Sequence, residues 1–579
     1  MSNGAGTSLA ALVASLFAAF GACAPLPTPA PAAPQPPQPA IAVASASASA
    51  PAEPHAALSG ARHAVVAEHA DAAAVADALL SDGASAADAA VAALLASGVA
   101  QPASSGLGGA GLGLYWDAAR REATVVDFLA TAPMGLEPAD HVARPVPRRR
   151  RGIMIGTPGE LAGLSHLHRR WGRKPWGEVV RPAIELADKG FTLSPHMHRA
   201  LRWREPWLRA SAPMQAVFAP LGKLRSRGDL VQRPALARTL RSIATSGEEL
   251  FYRGPLAETM VEAAAAKGSR LSTSDLERYR TIERPPLRTT WAGHEVLAAP
   301  PPSAGGVLLL QTLHMHDRRA LEELGHGTGP YLHVLAETFR GAHADRIRFL
   351  GDPDFVKMDV AQLVARDRMA QRRARIALDA THRPEAFGLT EGGTTNVIVV
   401  DAEGNVAIVT SSLNGLFGAR VHAEGGVVLN DHLSSFAQER DWRRFGGNHH
   451  PNAPRGGARP VTSMSPTLAL RDGKPVLALA ASGGPQMATA VAQGVVARLA
   501  FGLEAQRLTG DVRIDAPAGG GLRIDPRADG ELVADLRQRG EIVDASRALY
   551  GGLEVVTWSP DGRLEAAFDP RKGGGAQVR

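Results

Sequence analysis

The sequence predicts a mixed α/β protein built from packed layers of helix and sheet rather than from a doubly wound parallel sheet. Three observations lead there. Amphipathic helical patterns recur along the chain up to about residue 350. From Thr394 onward the pattern changes to short apolar runs separated by turn residues, which reads as β hairpins. No regular strand–helix–strand rhythm appears. The one GxGxxG match, Gly106, Gly108 and Gly111 in "SSGLGGAGLGLYWD", has a helix before it and a strand after it. Dinucleotide binding needs the opposite order, so these glycines are read as turning backbone.

The chain has 579 residues, enough for two or more domains or one large layered domain. It is 45% hydrophobic and 21% charged, a globular composition. The net charge of +6 is modest for this length, and the two signs are interspersed, so no nucleic-acid partner is expected. The single cysteine, Cys23, ends the apolar run "SLAALVASLFAAFGAC", which has the length of a signal-peptide core. Phe20-Gly21-Ala22 before Cys23 resembles a bacterial lipobox. Residues 1–23 are therefore expected to direct export to the periplasm or the exterior, with Cys23 a candidate lipid anchor to the membrane. Residues 24–57, rich in Pro, Ala and Ser, read as a disordered tether. Folding should begin near Ala61.

The elements follow in order. A helical pattern from Glu68 to about Leu80 breaks at Gly83. Ser85, with Asp88 three residues on, predicts an N-cap for a helix through about Ser97. "RPVPRRRRG", Arg144–Gly152, reads as a solvated basic loop. The pairs His166/His168, His196/His198 and His314/His316 read as surface histidines. Residues two apart on a helix do not share a face, and no carboxylate or cysteine stands at ligand spacing. Residues 230–285 are mostly helical, and "PPLRTTWAGHEVLAAPPPSAGG" is strand and turn. Helices follow over Val307–His314 and Leu332–Arg348, then a polar, loop-like stretch over 356–393. Later helices are expected at about Met487–Phe501 and Gly530–Gln538.

The chemistry concentrates in "GLTEGGTTNVIVVDAEGNVAIVTSSLNG", Gly388–Gly415. A hairpin with the three-residue loop Ala402–Gly404 sets Asp401 opposite Asn405 and Thr394 opposite Ser412. Opposed residues of antiparallel strands point to one face with Cβ atoms ~5 Å apart, so two hydroxyls meet at the open end. A threonine hydroxyl is a poor nucleophile unless a base takes its proton. Cleavage of the chain before Thr394 supplies one, the free α-amine, with an ordinary pKa of ~8. Gly392-Gly393 suits the strained backbone that an N→O acyl shift needs.

Further stretches occur in order along the chain, among them "GASAADAAVAALLASGVAQPASSGLGG", "GTPGELAGL", "APPPSAGGV", "ADRIRFLGDPDF", "RPVTSMSPT" and "DPRKGGGA". With the hairpin, they resemble the γ-glutamyltransferase family of N-terminal-nucleophile hydrolases over about Arg62 to Gly574. The resemblance implies a four-layer αββα sandwich and self-cleavage into a large chain, 58–393, and a small chain, 394–579. It implies Thr394 as nucleophile with its own amine as base, and Ser412 in the place of a supporting threonine. Gly483 and Gly484 of "AASGGPQ" match the glycines whose N–H groups hold the oxyanion. No metal or organic cofactor is implied. Asn414, Thr462 and Ser463 match residues of the substrate pocket.

The pocket departs from the family at three positions. Leu129 in "VVDFLATAP" stands where an arginine takes the substrate α-carboxylate. Ser435 in "LNDHLSSF" stands where an aspartate takes the α-ammonium, and His432 replaces Gln or Glu. Each charge-assisted hydrogen bond contributes roughly 1.5–3 kcal/mol, so losing both costs on the order of 10²–10⁴ in recognition of a free γ-glutamyl group. Arg420 is read as a surface arginine. The expected function is a γ-glutamyltransferase-like amide hydrolase and acyltransferase acting on a small-molecule amide or peptide. The alternatives are an acylase for a non-glutamyl group and a catalytically inactive binding homologue.

Overall fold

The computed structural model describes residues 58–141, 146–381, 394–438, 449–546 and 551–579. The expected leader (1–23, with Cys23), the tether (24–57) and Gly392-Gly393 lie outside them. Fourteen strands build two seven-stranded sheets. In chain order they are β1 Leu58–Gly60, β2 Ala64–Ala67, β3 Ala110–Asp117, β4 Glu122–Phe128, β5 Ile282–Arg284, β6 Leu287–Trp291 and β7 His294–Ala298. Then come β8 Thr395–Val400, β9 Val406–Ser412, β10 Thr467–Arg471, β11 Lys474–Ser482, β12 Gly552–Trp558, β13 Leu564–Phe568 and β14 Gly575–Val578. The first sheet runs β14-β2-β8-β9-β3-β4-β5 and the second β1-β13-β12-β11-β10-β7-β6, every pair antiparallel.

Both faces of the first sheet are buried, which explains its nearly unbroken apolar strands. Along β8, Val397 and Val399 face a core shared with helices α1 (Ala70–Ser81), α2 (Ala86–Ala100), α3 (Glu160–Trp171), α4 (Trp176–Lys189) and α5 (Pro234–Ser246). Ile398 and Val400 face the opposite core, with Leu468, Leu477, Leu479 and Val555 of the second sheet. Helices α6 (Ala304–Met315), α7 (Gly329–Phe349) and α8 (Gln486–Phe501) close that core from beyond. The layers are helix, sheet, sheet, helix, as the resemblance implied. No helix among the described residues is long and apolar enough to cross a membrane.

Helix α2 shows how sequence becomes layer. Ser85 and Asp88 form the expected capping box, with Asp88 N donating to Ser85 Oγ at 3.1 Å and Ser85 N to Asp88 Oδ2 at 3.0 Å. Every residue of the helix is buried, as an alanine-rich helix apolar all round must be. It runs to Ala100, past the expected end, and stops where Gln101 Nε2 donates to Glu68 O at 2.6 Å. The glycines after it allow close backbone approach: a Cβ on Gly108 would lie 2.2 Å from Val428 O.

Several expectations change. The stretch 356–393 contains helices Val360–Leu363 and Arg366–Arg373, the first capped by Asp359. The arginine run winds into 3₁₀ turns over Arg148–Met154 with Arg149 and Arg150 exposed, as the solvated loop predicted, while Arg144 and Pro145 lie outside the described residues. The histidine pairs are not uniformly at the surface. His316 is buried, its ring nitrogen 2.7 Å from Thr338 Oγ1, and His314 is half-buried against Thr289 Oγ1 at 2.6 Å. The cause is local: α6 ends at Met315, so His314 lies on the helix and His316 on extended backbone that turns inward.

Candidate active site

The β8–β9 hairpin has the register the loop length dictates. Val400 pairs with Val406 and Thr395 with Ser411. Asp401 Oδ1 accepts from Asn405 N at 2.9 Å, and Gly404 takes φ +82°, closing the three-residue loop. At the open end Thr394 Oγ1 and Ser412 Oγ stand 3.4 Å apart, both residues buried. Side chains two apart share a face. Ile398 of β8 and Ile408 of β9 face the second sheet, so Thr394 and Ser412 do too.

What faces them is the end of β11, which packs across β8 and β9. Gly483 and Gly484 follow it with φ +121° and +72°, and α8 begins at Gln486. Such backbone is open to glycine and strained for other residues. The start of β8 and the end of β11 meet at Glu68, whose carboxyl has the Ser482 and Thr395 side chains beside it.

A tight loop continues from Ser412. Asn414 N donates to Ser412 Oγ at 2.7 Å while Asn414 holds φ +73°, a rare conformation for a residue with a side chain. Asn414 Nδ2 donates to Ser434 Oγ at 2.8 Å, and Ser435 Oγ donates to Asn414 Oδ1 at 3.3 Å. His432 Nε2 lies 2.9 Å from Ser412 O, so that nitrogen carries the proton. Asn414, His432 and Ser435 therefore gather around Ser412.

Thr462 and Ser463 arrive from the second sheet's side. Thr462 O accepts from Ala304 N at 2.8 Å at the start of α6, and Ser463 Oγ accepts from Arg346 Nη1. Asn452 joins the two groups: its Nδ2 donates to Ser435 O at 2.8 Å and its Oδ1 accepts from Val461 N at 3.0 Å. Sequence reasoning missed Asn452, which stands in an unremarkable "HHPNAP" turn. It also missed Asn430, whose Nδ2 donates to Gly108 O at 2.8 Å and to Gly156 O at 2.9 Å, pinning both glycine turns to this loop.

Leu129 is buried in the core between the sheets, and its carbonyl accepts from Tyr279 Oη at 2.9 Å. Nearby guanidiniums are committed elsewhere: Arg284 Nε donates to Asp127 Oδ2 at 2.8 Å, and Arg459 Nε lies 3.3 Å from Asp127 Oδ1. Arg420, expected at the surface, is half-buried with φ +60°, its carbonyl accepting from Trp207 Nε1 at 2.8 Å. Behind β9, Glu160 beside Ser411 is fully buried, and burial pushes its carboxyl up to about 8.

Comparison with known proteins places this geometry. The family model described as gamma-glutamyltranspeptidase matches residues 72–578. The glutathione hydrolase proenzyme of Pseudomonas sp. (strain A14) is 33% identical over 461 residues, 76% of this chain and 78% of the relative. The Acylase ACY 1 proenzyme of Pseudomonas sp. (strain SE83) is 33% identical over 534 residues, 88% of this chain and 92% of the relative. Among solved structures, the cephalosporin acylase from Bacillus halodurans shares the fold with a TM-score of 0.82, at 23% identity, over 91% of this chain and 97% of that one. A gamma-glutamyltranspeptidase chain from Pseudomonas nitroreducens, complexed with L-DON, is 29% identical with a TM-score of 0.50, over 54% of this chain and 93% of that one.

Proposed function

The chain belongs to the gamma-glutamyltranspeptidase family and is an enzyme of that family, and from that premise we propose that it is a self-processing amide hydrolase and acyltransferase for γ-glutamyl-type amides, with Thr394 as its nucleophile. The carrying observation is the pair of buried hydroxyls, Thr394 Oγ1 and Ser412 Oγ, 3.4 Å apart at the open end of a hairpin. In self-cleavage, Thr394 Oγ1 attacks the carbonyl of Gly393. The resulting ester is hydrolysed, and Thr394 keeps a free α-amine. That amine then takes the hydroxyl proton as Oγ1 attacks the substrate amide. The N–H groups of Gly483 and Gly484 hold the oxyanion, the leaving amine receives the proton, and water or an acceptor amine releases the acyl group. Ser412 Oγ, itself held by Asn414 N at 2.7 Å, orients the nucleophile. The leader 1–23, the tether and Cys23 give the same enzyme an exported, membrane-tethered setting.

One observation favours a second reading, an acylase for a less polar acyl group. The two positions that would grip a glutamyl zwitterion hold buried Leu129 and Ser435, both neutral. The acylase relative also aligns over more of this chain than the glutathione hydrolase does.

A denaturing gel with N-terminal sequencing tests the shared mechanism. We expect a small chain beginning Thr-Thr-Asn-Val, and neither cleavage nor activity in Thr394→Ala; an active Thr394→Ala protein refutes it. Parallel kcat/KM values for γ-glutamyl and non-glutamyl acyl anilides decide between the readings.

A further inference from the structure

We propose that Asn396 is a positioning residue that holds the nucleophile strand against the oxyanion strand, and that it does so by binding the buried carboxyls of Glu68 and Glu554 together. The proposal rests on Thr394 as nucleophile. Asn396 lies two residues along β8 from Thr394 and so points to the same face. Its Oδ1 accepts from Thr410 Oγ1 at 2.8 Å, and Thr410 is its register partner on β9. One step below the hydroxyl pair, the two hairpin strands are thus tied a second time.

The other end of the amide crosses between the sheets. Asn396 Nδ2 donates to Glu554 Oε2 at 2.8 Å and lies 3.3 Å from Glu68 Oε1. Glu554 sits on β12 opposite Ala480 of β11, and β11 runs directly into Gly483-Gly484. One amide therefore connects the strand that delivers Thr394 to the sheet that delivers the oxyanion donors. Asn396, Thr410, Glu554 and Glu68 are all buried.

Two carboxyls sharing one amide in a dry core resist double ionisation. Burial raises both, and the charge of Glu68 raises Glu554 further. Lys572 faces both and opposes the rise. Asp569 adds negative charge, but is itself paired with Arg513 at 3.1 Å and Arg571 at 2.8 Å. His196, on the helix Pro195–Trp203, faces Lys572 and is held neutral by burial. While the raised pair holds a proton, the Asn396 amide faces at most one full negative charge. Loss of that proton puts two anions against each other and loosens the tie.

The test uses the full chain, with self-cleavage followed on gels and kcat, KM and their pH profiles measured on whichever acyl anilide turns over best. Asn396→Ala should lower kcat about ten- to hundred-fold with little change in KM, since a small misplacement of reacting groups costs that much. Glu554→Gln keeps an acceptor for Asn396 and removes the second charge. It should move the alkaline limb of kcat up by about one pH unit or abolish it. Parental kcat and cleavage in Asn396→Ala, or an unmoved limb in Glu554→Gln, overturns the proposal. If Asn396→Ala fails to fold, the Glu554→Gln profile decides alone. A parent chain that is not cleaved at Thr394 overturns the nucleophile assignment and this proposal with it, before any variant is made.

Discussion

Replacing Ser412 by alanine separates what its hydroxyl does for the fold from what it does for the chemistry. Ser412 Oγ accepts from Asn414 N at 2.7 Å and stands 3.4 Å from Thr394 Oγ1, and Ser412 is 1% exposed. Ser412→Ala strips the Asn414 amide of that acceptor, and an unsatisfied buried group costs about 1–3 kcal/mol. The contact to Thr394 is long for an O–H···O bond, so it belongs at the low end of about 0.5–1.5 kcal/mol. That converts to a loss in kcat of about two- to three-fold. Stability should therefore fall more than turnover does. Ser412→Thr keeps the oxygen and should recover both. The assays are the urea midpoint, the half-time of self-cleavage and kcat. If Ser412→Ala matches the parent in all three, the hydroxyl pair has no role and the reasoning from hairpin to nucleophile fails at its first step.

Gly484→Ala places a Cβ on backbone at φ +72°, at a cost of about 1–2 kcal/mol, and turns its N–H from the oxyanion; kcat should fall about 10²–10³-fold in steady-state assays. Glu160→Gln tests the buried carboxyl that burial holds up at about 8. The unfolded carboxyl ionises from about pH 4.5 while the folded one keeps its proton, so rising pH favours unfolding until about 8. The Tm advantage of Glu160→Gln should therefore grow between those values and level off above; a pH-independent difference contradicts the assignment. Ser435→Asp supplies a carboxylate beside Asn414, and should raise the preference for γ-glutamyl over neutral acyl anilides about ten- to hundred-fold in kcat/KM. An unchanged ratio places the substrate ammonium elsewhere.

What the sequence revealed depended on distance along the chain. The Thr394–Ser412 pairing was legible because a strand's period is two and a three-residue loop fixes the register. The Ser85 cap was legible for the same reason, since its partner Asp88 is three residues away. The first helix begins at Ala70 behind His69, whose ring accepts from Asp71 N at 3.2 Å. Histidine is not a usual cap, so the pattern points to a start nearer Glu68. Asn396 opens the apolar run of β8 without any local mark, and its partners Glu68 and Glu554 lie 328 and 158 positions away. Nothing local marks them. His316 departs from its surface expectation because helical spacing says nothing about a residue just past the helix end.

On the proposed mechanism, the substituted pocket positions and the acyl-transfer residues sit on different kinds of structure. Thr394 and Ser412 are placed by the β8–β9 ladder, and Gly483-Gly484 by the end of β11, so their geometry is fixed by backbone register across two stacked sheets. A one-residue slip there would turn whole strands inside out and destroy both cores. Ser435 and His432 sit instead on a short 3₁₀ turn, His432–Ser435, after Leu429, tied by side-chain hydrogen bonds to Asn414 and Ser412, and Leu129 lies just beyond the end of β4. Substitutions there change what the pocket grips without moving the reacting atoms. The same layered frame can therefore hold acyl-transfer chemistry constant while the acyl group changes. On the proposed mechanism, the neutral side chains at 129 and 435 place this chain's substrate preference in the segments after β4 and Leu429 rather than in the hairpin.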